Sequence, residues 1–339
     1  MATDATFANP AIGGPRGMAL NNEGCAGEDV VRCPACDGSE WTTVGGPASA
    51  FCENVAGHTF HQPPYAIRRC DQCDLYFKSR TLPLEQLRAY YGRLDSATFD
   101  VSADFPTDRH LGAHLDRLRT GSRVLDFGCS TGRILKPHST RLRCLGVEPN
   151  GHAAAVASQR GIQIVPEDQL PVVAQEGFDA IILCDVYEHL PRPVALVATL
   201  AKLLKPGGWL AVVTGNADAV RPRDRLAESW YFRVVGHLHM LSERHASWLG
   251  RRLGMELEVL HRCSHYRTPL GQRMRQFIQG LLYDQFHRSP RRGAAAVLRR
   301  IPRLRDAERW STAPALTYRR DHVVAIFRST AVAVCSARN

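Results

Sequence analysis

Val124-Leu125-Asp126-Phe127-Gly128-Cys129-Ser130-Thr131-Gly132-Arg133-Ile134-Leu135 decides the fold. An apolar run ends in an acid, and Gly128 and Gly132 then bracket a tight turn that leads into a helical pattern. Glycine lets a backbone turn sharply and approach a ligand with no Cβ in the way, so the segment reads as strand, nucleotide-cofactor loop and helix. Working outward, Leu145-Gly146-Val147-Glu148 is a second strand ending in a carboxylate, twenty-two residues after Asp126. That is where a doubly wound sheet places the acid for ribose hydroxyls. Residues 162–165 read as a third strand with Glu167 and Asp168 at its end, and residues 178–184 as a fourth. Leu204-Lys205-Pro206-Gly207-Gly208 reads as the stop of a helix before a fifth strand at 209–214. A helix at 244–253 and strands at 257–260 and 321–327 complete the pattern. It predicts an α/β, Rossmann-like, doubly wound and mostly parallel seven-stranded sheet with its ligand at the carboxyl ends of the strands.

The loop chemistry separates two ligands. A dinucleotide site uses a third glycine because a pyrophosphate sits against the helix N-terminus. Here Ser130 stands in the turn, and Asp126 before it repels a phosphate but suits a cationic amine or sulfonium.

With these residues in place, the block from Val124 to Gly208 resembles the class I S-adenosylmethionine-dependent methyltransferases. The resemblance rests on the Asp-Phe-Gly-Cys-Ser-Thr-Gly loop, Glu148, the Phe178-Asp179-Ala180 strand, Glu188-His189-Leu190 and Leu-Lys-Pro-Gly-Gly. It implies that Asp126, Gly128, Cys129 and Gly132 contact the methionine part and shape the turn. It also implies that Glu148 takes the ribose, that Asp168, or its neighbour Glu167, holds the adenine, and that Asp185 borders the cofactor.

Eleven cysteines invite a disulfide reading, but their arrangement favours another. Cys33-Pro-Ala-Cys36 and Cys70-Asp-Gln-Cys73 are two C-x-x-C knuckles, the spacing by which four thiolates close a tetrahedron around a structural zinc ion. A redox pair is the alternative, and Cys52, His58 and His61 are substitute ligands. Arg69-Cys70-Asp71-Gln72-Cys73-Asp74-Leu75-Tyr76-Phe77 resembles the second knuckle of methyltransferases acting on sugars, polyketide-type products or envelope glycans. A helix carrying Pro83, Leu87, Tyr90 and Tyr91 follows it. The two tyrosines line the cofactor pocket or serve as buried aromatics. The sugar C-methyltransferases carry a further C-terminal domain that is not expected here, so their substrate and mechanism are not expected to carry over.

The 339 residues therefore divide into a disordered tail (1–28), a zinc-binding module (29–80), a connecting helical segment (81–115), the cofactor-binding core (116–264), a basic helical insertion (265–320) and a final strand (321–330). No apolar run reaches the ~18 residues of a membrane helix, and the first residues lack the pattern of a signal peptide. A cytoplasmic location is expected.

Methyl transfer from a sulfonium is an in-line displacement, helped mainly by holding donor and acceptor together. A base is needed when the acceptor is a hydroxyl or an acidic carbon. Cys184-Asp185-Val186-Tyr187-Glu188-His189 follows the fourth strand, and His189 is the expected general base, with Glu188 beside it. The alternative is that both orient the loop. Asp185-x-x-Glu188-His189 also resembles the Glu-x-x-Glu-His set by which ubiquinone-pathway O-methyltransferases bind a divalent cation. In Gly236-His237-Leu238-His239-Met240, either histidine faces the acceptor or packs, and His239 is the one taken as a catalytic candidate.

The insertion at 265–320 holds thirteen arginines and no lysine against Asp284, Asp306 and Glu308, a surplus equal to the net charge of +10 of the whole chain. Met274, Phe277, Ile278, Leu281, Leu282 and Phe286 recur in it at helical spacing. Such a helix packs as a lid over the sheet, or meets an anionic membrane peripherally, a phosphate-bearing acceptor or nucleic acid. The expected acceptor is a small molecule, a glycan or a lipid precursor, methylated on oxygen rather than carbon. A ribosomal RNA methyltransferase and a non-catalytic scaffold are the alternatives. Against nucleic acid as partner stands the segment after the fourth strand, which lacks the Asn/Asp-Pro-Pro-aromatic motif of base N-methylases. Gln62-Pro63-Pro64-Tyr65 imitates that motif, but between the knuckles.

Overall fold

The structure, a computed structural model, describes residues 27–94, 105–220, 223–287, 299–301 and 319–330. Residues 1–26 of the expected tail and most of the arginine-rich stretch after residue 287 lie outside these; Glu28, at the end of that tail, pairs with Thr81.

The N-terminal part is built from short strands: β1 (Glu28–Asp29), β2 (Trp41–Ala48), β3 (Phe51–Val55), β4 (His58–Gln62), β5 (Tyr65–Cys70), β6 (Tyr76–Lys78) and β7 (Arg80–Thr81). β2, β5 and β6 form an antiparallel sheet, β3 and β4 a hairpin, and β1 pairs with β7. Two helices connect it to the rest. α1 (Leu84–Tyr91) starts after Pro83, and α2 (Pro106–Leu115) has proline in its first turn, where no intrahelical N–H is needed.

The core follows as β8 (Arg123–Phe127), β9 (Arg143–Val147), α3 (Gly151–Gln159), β10 (Gln163–Ile164), α4 (Leu170–Val173), β11 (Phe178–Cys184), α5 (Pro193–Ala201), β12 (Leu204–Gly215), β13 (His239–Met240), α6 (Glu243–Leu253), β14 (Met255–Cys263), α7 (Leu270–His287) and β15 (His322–Ser329). Seven strands make one sheet in the order β10-β9-β8-β11-β12-β15-β14, parallel except for β15, which is antiparallel to both neighbours. This is the expected fold class. Alternation along the strands divides the apolar side chains between two faces: Leu125, Ile181, Leu183 and Val212 on one, Val124, Ala180, Ile182 and Val213 on the other.

Three local expectations change. The loop after β8 runs through turns into a 3-10 helix at Lys136–His138 rather than an α-helix, as Pro137 interrupts the hydrogen-bond ladder. α5 ends at Ala201, and Leu204 already belongs to β12. The register jumps from Phe178↔Leu204 to Ala180↔Trp209, so residues 205–208 bulge out of the strand instead of stopping a helix. The knuckle region also takes up a strand from the core. β13, far along the chain, adds to β6 as the fourth strand of its sheet. Cys33, Cys70, Cys73, Leu75 and Phe77 share one apolar cluster with Leu125, Leu183 and Leu241.

The insertion keeps its helix but inverts its faces. In α7 the buried residues are Gln276 and Tyr283, whereas Leu270, Met274, Phe277, Ile278 and Leu281 are exposed, Leu270 by 78%. Leu282 and Phe286 of the same stripe are half-buried.

Candidate active site

Strand order reverses between β8 and β11, and a doubly wound sheet opens its crevice outside the carboxyl ends of such a pair. Asp126 and Asp185 stand at those two ends, with Asp126 in register with Ile182. Asp126 is 2% exposed and its Oδ1 has no hydrogen-bond partner. Burial pushes its carboxyl up to about 7, against the pull of Arg133. A buried acid that costs this much to ionise is poised for a cation.

Gly128 and Gly132 both have φ of +79°, and Ser130 between them is also left-handed at +47°. A Cβ on Gly128 would meet Val186 Cγ2 at 2.5 Å, and one on Gly132 would meet Ile162 Cδ1 at 2.0 Å. Both glycines are thus required by conformation and by packing. Glu148 ties the loop down. One carboxylate oxygen accepts from Ser130 N–H and the other from Asn150 N–H, each at 2.8 Å, which leaves further lone pairs on both oxygens. The Cys129 side chain is buried, and Gly146 lies so close that a Cβ there would come within 2.5 Å of Sγ. Asp168 lies exposed in a short 3-10 helix beyond β10.

At the end of β11 the backbone of Asp185 is left-handed, φ +54°, a strained state for a non-glycine residue. The Asp185, Glu188 and His189 set divides into two groups. Asp185 gathers with His265 and His322, and Glu188 and His189 gather with His237. Glu188 is 1% exposed and accepts from Thr214 Oγ1 at 2.8 Å. Burial, reinforced by Asp185, pushes it up to about 7. His189 Nδ1 donates to the Gly236 carbonyl at 3.0 Å, and His237 Nδ1 to the Tyr231 carbonyl at 2.8 Å. Nε2 is then the basic atom of each ring. Burial lowers both histidines, so both are neutral at ordinary pH. Tyr91 packs edge-on against His189, with its hydroxyl 2.8 Å from the Gly236 carbonyl, while Tyr90 donates to Glu53.

His239 does not join this group. It is 1% exposed, its Nε2 faces the Tyr187 carbonyl at 3.2 Å, and burial pushes it down to about 3. Its place on β13, next to the knuckle sheet, explains this. Tyr65 of the Gln-Pro-Pro-Tyr segment is buried, with its hydroxyl on the carbonyls of Ala227 and Phe232.

Cys33, Cys36, Cys70 and Cys73 bring four sulfurs together, with Cys33 Sγ 3.5 Å from Cys73 Sγ and Cys36 Sγ 3.5 Å from Cys70 Sγ. Sulfurs bound ~2.3 Å from one zinc ion stand ~3.8 Å apart, so the set fits. The two knuckles repeat one turn: Asp37 and Asp74 both have φ of +62°, and each donates its N–H to the first cysteine of its pair. Cys52 and His61 pair with each other on the exposed hairpin, away from this set.

Four residues of the crevice carry no sequence signal of their own. His322 opens β15 in register with Cys263 and Gly215, His265 follows β14, and Trp230 and Tyr231 come from the segment after β12. Only the antiparallel return of β15 brings residues so far apart in the chain to the end of β11.

A methyltransferase-domain family profile matches residues 107–260, from α2 into β14. The ubiquinone biosynthesis O-methyltransferase of Cereibacter sphaeroides is 34% identical over 199 residues, 55% of this chain and 68% of that protein. That of Nitrosococcus oceani is 31% identical over 180 residues, 46% of this chain and 71% of that protein. Probable tRNA methyltransferase 9B of Mus musculus is 31% identical over 160 residues, 44% of this chain but only 32% of that longer protein. Among solved structures, a chain of the complex between the Haloferax volcanii Trm112 methyltransferase activator and a methyltransferase superimposes with a TM-score of 0.50. At 13% identity it covers 73% of this chain and 97% of its own length, a likeness of fold.

Proposed function

Because the chain belongs to the class I S-adenosylmethionine-dependent methyltransferases, we propose that it methylates an oxygen of a small-molecule acceptor of glycan- or lipid-precursor type, with His189 as general base. S-adenosylmethionine supplies a methyl carbon on a sulfonium: the S–CH3 bond breaks, an O–CH3 bond forms, and a neutral thioether leaves. Asp126 compensates the donor's positive charge, Gly128 and Gly132 let the loop approach it, and Glu148 offers its remaining lone pairs to the ribose. Asp168, in the short 3-10 helix after β10, would hold the adenine.

The hydroxyl proton passes to His189. The observation that carries this reading is the hydrogen bond from His189 Nδ1 to the Gly236 carbonyl, which fixes the tautomer with a free basic Nε2. Glu188, held by Thr214, and His237, held by Tyr231, stand beside it to share the proton. Transfer of radiolabelled methyl to a panel of hydroxylated acceptors tests this. Labelling of carboxylic or carbon acceptors alone contradicts it.

The four cysteines support a structural zinc ion. Four thiolates leave no open coordination position, so its contribution is to hold β13 and the knuckles in place. Serine at Cys33 or Cys70 is expected to lose the metal, read by elemental analysis, and to lower the thermal midpoint sharply.

The apolar face of α7 supports contact with an anionic lipid surface, since arginines crowd the same insertion. A groove lined by Arg244, Arg262, Arg319 and Arg320, with Asp218 and Glu243 among them, carries a surplus of arginine that suits a phosphate-bearing acceptor. The same groove favours RNA as a second reading, which tight, salt-dependent binding to tRNA would uphold and its absence at low salt would exclude.

A further inference from the structure

We infer that Asp185, His265 and His322 form a second metal site, for a divalent first-row transition ion that holds the acceptor oxygen. As to the acceptor, this inference rests on the reading above. The three residues come from the end of β11, the segment after β14 and the first position of β15, yet one ligand atom of each lies within 4.8 Å of the others. Asp185 Oδ1 is 3.6 Å from His322 Nε2. Ligand atoms around an ion with bonds of ~2.0–2.2 Å stand ~3–3.5 Å apart, so this pair needs only a small side-chain adjustment.

Three buried atoms here lack hydrogen-bond partners: Asp185 Oδ1, His265 Nδ1 and Asp321 Oδ2. An unpaired buried polar atom is destabilising, and a cation shared by Asp185 and His265 relieves the first two. If instead a protonated His322 merely bridged Asp185 and Asp321, His265 Nδ1 would remain orphaned. An outer shell is in place as well. Asp321 Oδ1 accepts from His322 Nδ1 at 3.4 Å and from the His265 backbone N–H at 2.8 Å, so one carboxylate orients the His322 imidazole and fixes the backbone that carries His265. The His265 and His322 rings stack with centroids 4.3 Å apart.

Two imidazoles and one carboxylate suit zinc, cobalt, manganese or iron rather than magnesium, which prefers oxygen ligands and water. Three protein ligands leave positions open for an incoming oxygen. The set shares Asp185 alone with the Asp185-x-x-Glu188-His189 motif, because Glu188 and His189 face His237.

The test is a cobalt(II) titration of the full-length protein with its cysteine-bound metal retained, followed by calorimetry and visible absorption, without donor or acceptor. One equivalent is expected to bind, with ligand-field bands and no thiolate charge-transfer band. His265→Ala should weaken it at least ~100-fold, and Asp321→Asn, which removes only the outer shell, ~10–100-fold. Circular dichroism checks that both variants fold. No cobalt binding beyond the cysteines, or binding unchanged in both variants, overturns the site. Cobalt binding in a protein that methylates no oxygen acceptor would instead sink the functional reading and leave the metal site standing.

Discussion

Tyr187 and His245 share a 2.7 Å hydrogen bond between Oη and Nε2, deep between the knuckles and the crevice. On its other side, His245 Nδ1 donates to the carbonyl of Cys73 at 2.9 Å. Ser242 caps α6 by accepting from the His245 N–H, and its hydroxyl also reaches Asp74 Oδ2 at 2.7 Å. The cysteine cluster is thus wired to the residue preceding Glu188 and His189. Because small displacements of reacting groups cost ~10–100-fold in rate, His245→Ala should lower kcat by about that much and leave affinity for S-adenosylmethionine nearly unchanged. His245→Asn, whose amide reaches Cys73 but not Tyr187, should keep the metal and still lose rate. Wild-type kcat in both variants would show that the connection is inert.

Much of this arrangement is legible in the sequence because acids ending strands are local features. Asp126, Glu148 and Asp185 each follow an apolar run that a parallel sheet must bury. The C-x-x-C spacing is local too. What escapes sequence reading is pairing at long range: β13 joining β6, and the register that sets His322 beside Cys263 and so brings His265 to Asp185. The faces of α7 mislead for a different reason. Helical periodicity shows that a stripe exists, not whether it meets protein or something else.

The Asp126 carboxyl, which titrates at about 7 in the free protein, should change with ligand. Burial disfavours its charge, and a sulfonium or ammonium beside it favours that charge again. Binding of S-adenosylmethionine at pH 6.5 should therefore release a proton, and affinity should rise with pH until the free carboxyl is ionised. Calorimetry in two buffers of different ionisation enthalpy reads the proton directly. Asp126→Asn should abolish the release and weaken binding. Equal heats in both buffers would remove Asp126 from the role.

For His189 the sign runs the other way. A base must be unprotonated, and burial lowers this imidazole below its ordinary value of 6.5. The rate at saturating donor and acceptor should be flat above that pH and fall only in more acid solution, provided methyl transfer limits it. His189→Ala should reduce kcat ~100-fold or more with little change in donor affinity. An unaltered rate would place the base elsewhere, with His237 next in line.

α7 leaves Met274, Phe277, Ile278 and Leu281 about half exposed, on a helix whose other side carries the buried Gln276 and Tyr283. Arg225, from the segment after β12, pairs with Asp284 of α7 at 2.5 Å and ties the helix to the core. Each large apolar side chain fully withdrawn from water is worth ~1.5–3 kcal/mol, so Phe277→Glu with Ile278→Glu should cut partitioning onto vesicles at least about tenfold. Arginine surplus on the same insertion requires that the vesicles be anionic and that salt weaken the binding. Sedimentation with phosphatidylglycerol vesicles against phosphatidylcholine vesicles separates the outcomes. Equal binding to both removes the arginines from the account. No binding to either, together with elution as a dimer that the double substitution disperses, would assign the stripe to a second copy of the chain.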